Sequence, residues 1–133
     1  MKLKNKKTRE IGFRIWSNYW KKYAVEAELY MDGLADAVFE DDDGVPHHEN
    51  TDIIVEQYTM LRDKNGKEIY EGDIVVYDYV FGTYIVTYRR YDASFVLEDD
   101  DREEVLNLVL SGHPFYEVIG NVHENPELLE GKQ

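Results

Sequence analysis

The sequence contains no cysteine. Disulfide staples and thiol nucleophiles are thereby excluded, and a small chain without crosslinks points to a reducing compartment, the cytoplasm. No run approaches the roughly 18 apolar residues that a membrane helix needs. The basic stretch 1–7 is followed by Arg9, Glu10 and Arg14 where an apolar run would stand, so neither a secretory leader nor membrane attachment is expected. Signatures of covalent chemistry are missing as well. Ser17, Ser94 and Ser111 sit in no G-x-S-x-G elbow, and neither G-x-G-x-x-G nor G-x-x-x-x-G-K occurs to cradle a phosphate. The expectation is a non-enzyme with no cofactor and no catalytic residues.

What is present suits a compact β protein. With 43% hydrophobic residues among 133, a core can form and wholesale disorder is excluded. Eleven Tyr, five Phe and two Trp are many aromatics for this length, and aromatic side chains favour strands and fill small cores. The net charge of −13 is unevenly spread. Residues 1–23 carry eight Lys or Arg and one acid, a charge of +7, whereas residues 24–133 carry seven against 27, a charge of −20. An acidic body repels phosphate backbones, so only the basic head is a candidate for nucleic acid.

Read along the chain, residues 1–8 form a loose polar terminus. Ile11, Phe13 and Ile15 alternate with polar neighbours, which predicts a half-buried strand over 9–16. Residues 18–39 are ambiguous: Ala24, Ala27, Leu34, Ala35 and Val38 would line a helix, while Val25, Ala27 and Leu29 alternate as in a strand. The run Glu40-Asp41-Asp42-Asp43-Gly44 followed by Pro46 predicts a loop over 40–52. It divides an N-terminal piece, 1–52, from a β-rich core, 53–133. Strands are predicted at 53–61, 67–70, 74–80, 84–88, 91–97 and 116–121. Turns fall at Asn65-Gly66, Glu71-Gly72-Asp73 and Phe81-Gly82-Thr83. Ile69, Ile74 and Val75 are core candidates. Asp101, an N-cap ahead of Val105, Leu106, Val109 and Leu110, predicts one C-terminal helix ended by Gly112 and Pro114. Asn125-Pro126 opens a short helical turn. The predicted fold is mainly β, a small SH3-like barrel or a bent antiparallel sheet with that one helix.

Three segments resemble the YopX family of phage and prophage proteins. They are Arg9-Glu10-Ile11-Gly12-Phe13-Arg14-Ile15-Trp16, the stretch from Gln57 through Leu61-Arg62-Asp63-Lys64-Asn65-Gly66 to Val75, and the stretch from Tyr116 through Gly120-Asn121 to Leu129. They occur in the family's order and span most of the chain. Met60 stands where the family usually has glycine, which implies that no turn is strictly required there. The resemblance implies a phage or prophage origin and carries over no activity and no catalytic residue. Gly66, Gly72, Asp73, Gly120 and Asn125 are read as shaping the backbone.

Metal ligation is tested by Asp41, Asp42, Asp43, His47, His48, Glu49 and Asp52, but the spacing matches no closed site and a solvated acidic loop is preferred. His113 and His123 read as turn or surface residues. The candidate binding surface is Arg14, Trp16, Tyr19, Trp20, Lys21, Lys22 and Tyr23, where rings interleave with cations. The leading expectation is an accessory protein that binds a protein partner or itself as a homo-oligomer. One alternative is single-stranded nucleic-acid binding through the basic aromatic head, by base stacking. The other is an acidic imitation of DNA that blocks a host protein.

Overall fold

The computed structural model describes residues 2–5, 8–30, 35–99, 104–107 and 115–129. Strands take up 61% of the chain, so the fold is mainly β. Of the two architectures expected, the bent sheet is the one formed, an antiparallel sheet curled into a half-barrel. The chain folds as two compact units, residues 1–57 and 58–133.

In the first unit, β1 (Lys2–Asn5) pairs antiparallel with β2 (Thr8–Ser17). The start of the chain is thus a strand and not the expected loose terminus. β2 also takes β3 (Lys22–Tyr23) and the first half of β7 (Ile53–Arg62). A separate three-stranded sheet holds β4 (Glu26–Leu29), β5 (Ala35–Glu40) and β6 (Pro46–Glu49). The ambiguous stretch therefore resolves as strands, and the expected loop at 40–52 is largely a hairpin whose turn is residues 41–45. Local charge favours a loop, but the period of two in β5 wins. It buries Ala35, Ala37 and Phe39 against Ile15, with Phe13, Trp20, Ala24, Ala27 and Ile53 packed around them. The division between units lies at 57/58, inside β7.

The second unit carries β8 (Glu68–Tyr70) beside the second half of β7, and a five-stranded sheet in the order β12-β11-β10-β9-β13. Those strands are β9 (Asp73–Tyr77), β10 (Val80–Arg89), β11 (Ser94–Glu98), β12 (Glu104–Asn107) and β13 (Tyr116–Asn121). Ile69, Val75, Tyr84, Val86, Leu97, Tyr116 and Val118 form its core. The core candidates Ile69, Ile74 and Val75 are all fully buried.

Three local expectations need correction. The turn placed at residues 81–83 comes earlier, at 78–79. β10 runs through that stretch with a register shift, and Gly82 takes a φ of 132°. The strand expected from 91 starts at Ser94, after a turn in which Ala93 has a φ of 55°. Over the described part of the expected C-terminal helix, residues 104–107 form a strand instead, paired to β11. There, hydrogen bonding to an open sheet edge overrides the apolar spacing. The rest of that helix lies outside the described residues. The short helical turn does form, as a 3-10 turn over Pro126–Leu128.

Met60 overturns the implication drawn from the resemblance. Its φ is 70°, in the left-handed region, at a register irregularity between Tyr58 and Arg62 in the β7–β8 pairing. The bend is required, and methionine holds it at a steric cost of about 1–2 kcal/mol. Met60→Gly is expected to raise stability by roughly 0.5–1 kcal/mol. Relief of that strain exceeds the chain entropy glycine adds to the unfolded state. Urea unfolding checks this, and a loss of stability would show that the side chain's packing outweighs the strain.

Candidate binding surface

The structure separates the seven predicted surface residues into two groups. The first is locked. β2–β7 register sets Arg14 opposite Glu56, and β2–β3 register sets Trp16 opposite Tyr23. Arg14 Nε donates to Glu56 Oε1 at 2.8 Å and the Tyr23 hydroxyl donates to the same oxygen at 2.9 Å. The Arg14 guanidinium lies 4.7 Å from the centre of the Tyr23 ring, which meets Trp16 edge-on at 5.1 Å. Trp16 is buried, and so is Glu56. A buried carboxylate tied to a guanidinium and a phenol is a structural joint: it fixes Arg14 and Tyr23, both half-buried, in place beside the buried Trp16. Sequence reasoning missed Glu56. The available signal was its lone acid within Ile53-Ile54-Val55-Glu56-Gln57-Tyr58, an apolar strand pattern.

In the second group, Tyr19, Trp20 and Lys21 lie on the turn between β2 and β3, and Lys22 opens β3. Ser17 Oγ accepts the backbone N–H of Tyr19 at 3.2 Å and of Trp20 at 2.9 Å, and Lys21 takes a φ of 56° to close the turn. This geometry sets the Tyr19 and Trp20 rings nearly perpendicular, with centres 5.2 Å apart. Trp20 is held from its other side, its ring 4.7 Å from that of His47 and its Nε1–H donating to Glu49 Oε1 at 3.3 Å. Lys22 Nζ donates to the Glu40 carbonyl at 2.7 Å.

The acidic stretch supplies the facing wall. Asp41 Oδ1 accepts the N–H groups of Asp43 and Val45, both at 2.9 Å, and Oδ2 pairs with His47 Nε2 at 2.9 Å. The His47 bond, then the backbone N–H groups, hold the Asp41 carboxyl below its usual range. Tyr19, Trp20, Lys22, Asp41 and Asp42 together line an open recess of about 350 Å³. A hollow of similar size lies on the outer face of the β4-β5-β6 sheet, with Glu26, Glu28, Asp36, Val38 and His48 around it. His47 and His48 belong to different surroundings, as alternation along β6 requires. Among the described residues no group of three His, Asp or Glu is placed to hold a metal ion.

The second unit has an aromatic surface that the sequence did not single out. Tyr77 and Tyr116 are opposed across β9 and β13, with ring centres 4.9 Å apart. Tyr79 contacts Tyr77 at 5.6 Å and Phe115 at 4.9 Å, and Tyr79 is 69% exposed. Lys64 borders this row, pairing with Asp78 at 3.1 Å and Glu117 at 3.6 Å.

The residues read as backbone-shaping behave so. Gly66 and Gly72 both have a φ of 83°, the Asp73 carboxylate accepts the Tyr70 N–H at 2.8 Å, and Asn125 Oδ1 accepts the Asn121 N–H at 3.1 Å. Of the Asn65-Gly66 pair only Gly66 takes a positive φ.

Fold and surface define a small, mainly β protein of curled antiparallel sheet, built on buried carboxylate joints and aromatic cross-strand pairs. The chain belongs to the YopX family: the family model described as YopX protein matches residues 12–130. Protein EF1440 from Enterococcus faecalis is similar in structure, with a TM-score of 0.60 and 30% identity over 92% of this chain and 100% of that one. Protein YopX from Bacillus subtilis shares the fold, with a TM-score of 0.55 and 22% identity over 89% of this chain and 97% of its own. No curated protein matches. The family is one of unknown function, and no catalytic family is indicated. Among the described residues, no helix is long and apolar enough to cross a membrane.

Proposed function

We propose that this chain is a phage- or prophage-encoded accessory protein of the cytoplasm, a non-enzymatic module that acts by protein contact, with a second copy of itself as partner. The observation that carries this reading is the row Tyr77, Tyr79 and Phe115 on the second unit. Linked rings present large rigid apolar area at low entropic cost, which is the composition of interface centres. Lys64 between Asp78 and Glu117 places both signs of charge on the border, so the patch is complementary to its own image under a twofold axis. The nucleic-acid alternative draws less support, since Arg14, Trp16 and Tyr23 are engaged with one another and with Glu56.

Light scattering across a concentration and salt series tests the reading. The expected mass is that of a dimer at tens of micromolar, persisting in salt because the contact is chiefly apolar. Tyr79→Ser combined with Phe115→Ser is expected to give monomer with unchanged circular dichroism. A wild-type monomer under all conditions refutes self-association.

A further inference from the structure

We propose that the recess between the β2–β3 turn and the β5–β6 turn is a binding site for an arginine side chain of a partner protein. This site lies wholly in the first unit and does not depend on the self-association reading. Three observations on the recess point to a planar cation.

Its aromatic walls are two rings at 80° to each other, 5.2 Å apart. The face of an aromatic ring carries negative potential and attracts a cation that stacks on it, tryptophan most strongly. Trp20 is presented in one fixed orientation, because His47 packs against it and Glu49 accepts its Nε1–H. Tyr19 is 73% exposed, and its ring meets that of Trp20. An aromatic side chain left this open on a fixed turn is available to close over a ligand.

The charge balance selects the sign. Among the residues that line the recess, Asp41 and Asp42 bring two carboxylates against the one ammonium of Lys22. Lys22 already donates to the Glu40 carbonyl, and Asp41 is committed to two backbone N–H groups and to His47. The Asp42 carboxylate is exposed and makes no hydrogen bond or ion pair to a described residue. It is the acceptor left for an incoming donor, and a guanidinium bonds a carboxylate through two parallel N–H groups while stacking its plane on a ring. A phosphate would instead meet the two carboxylates, so the rings and lysine that suggest nucleic acid are set in a frame that disfavours it.

Size fits a side chain rather than an ion. About 350 Å³, open to solvent, accommodates an arginine with its methylene stem along the rings. The opening between two exposed turns leaves room for the main chain that carries it.

The test uses the intact protein and the capped tripeptide acetyl-Gly-Arg-Gly-amide. Its signal is the Trp20 indole N–H resonance, assigned with Trp20→Phe. Saturable movement of that resonance is expected at millimolar peptide. Asp42→Asn should weaken binding three- to tenfold and Tyr19→Ala two- to fivefold. The same peptide with Gln for Arg should leave the resonance in place, as should inorganic phosphate and a dT oligonucleotide. Asp42 and Tyr19 are exposed, so both variants keep the fold. No movement with the Arg peptide up to about 50 mM overturns the proposal. Binding untouched by Asp42→Asn, or movement with the oligonucleotide at equal concentration, overturns it too.

Discussion

Asp63→Asn lowers the stability of the second unit by about 3 kcal/mol, and the deficit closes in acid. Asp63 directly follows β7, and its buried carboxylate ties the loop 63–67 to β13. Oδ1 accepts the N–H groups of Asn65 and Lys67 and Oδ2 accepts that of Val118, all at 2.9 Å. The Lys64 N–H donates to the Tyr116 carbonyl at 2.8 Å, so the loop is stitched to β13 at two places. Asparagine keeps one acceptor. Whichever way the amide turns, its NH₂ group faces a backbone N–H where an acceptor stood. In the better orientation, with NH₂ at the Oδ2 position, one charge-assisted bond is lost, at roughly 1.5–3 kcal/mol, and a buried donor is left unpaired, at roughly 1–3 kcal/mol.

The sign of the pH dependence follows from the same contacts. Burial alone would raise the Asp63 pKa. The N–H groups of Val118, Lys67 and Asn65, with the charge of Lys67, outweigh it and bring it below 3.8. A carboxyl with a lower pKa folded than unfolded stabilises fully above the unfolded value. Its contribution disappears as pH falls below 3.8 and through the folded value. Urea titrations of wild type and Asp63→Asn between about pH 6 and about pH 2 are expected to converge at the acid end. Parallel curves throughout would show that Asp63 does not titrate in this way.

Gly120→Ala is expected to cost about 2–3 kcal/mol. Gly120 lies at a register irregularity in β13. A Cβ there would come within 2.6 Å of Asn125 Oδ1, 2.8 Å of its Cγ and 2.9 Å of its Cβ. Asn125 cannot step aside freely: its Oδ1 accepts the Asn121 N–H at 3.1 Å and its own N–H donates to the Asn121 carbonyl at 2.9 Å. Asn121 in turn binds the His123 and Glu124 N–H groups through Oδ1. A methyl group therefore opens a closed set of bonds or strains the strand. The double variant Gly120→Ala, Asn125→Gly should be less damaging than the sum of the two single changes, because the second makes room for the first. Additive losses would place the cost of Gly120→Ala elsewhere.

Much of this was legible in residue order. The alternation Ile11, Phe13, Ile15 and the β-branched run 74–76 announced β2 and β9, because period-two patterning and β-branched side chains favour extended backbone locally. Gly66 and Gly72 announced turns, because positive φ is a property of a single residue. The stretch 18–49 was less legible. Its alanines fit a helix as well as a strand, and only packing of Ala35, Ala37 and Phe39 against Ile15, twenty or more positions away, chose the strand. Residues 104–107 failed for the same reason, since the partner that made them a strand was β11. Of the residues that line the recess, the sequence reading named Tyr19, Trp20 and Lys22. It could not show that Arg14 and Tyr23 close on Glu56 with Trp16 against Tyr23, or that Asp41 and Asp42 line one recess with Tyr19 and Trp20.

Composition and period by themselves determined a β protein of glycine turns and aromatic strands, lacking thiols and phosphate loops, because these are local properties. Which charges meet which rings was decided by tertiary structure alone. Strand register brings together side chains some 20 to 40 positions apart, and nothing in the local chain encodes their distance.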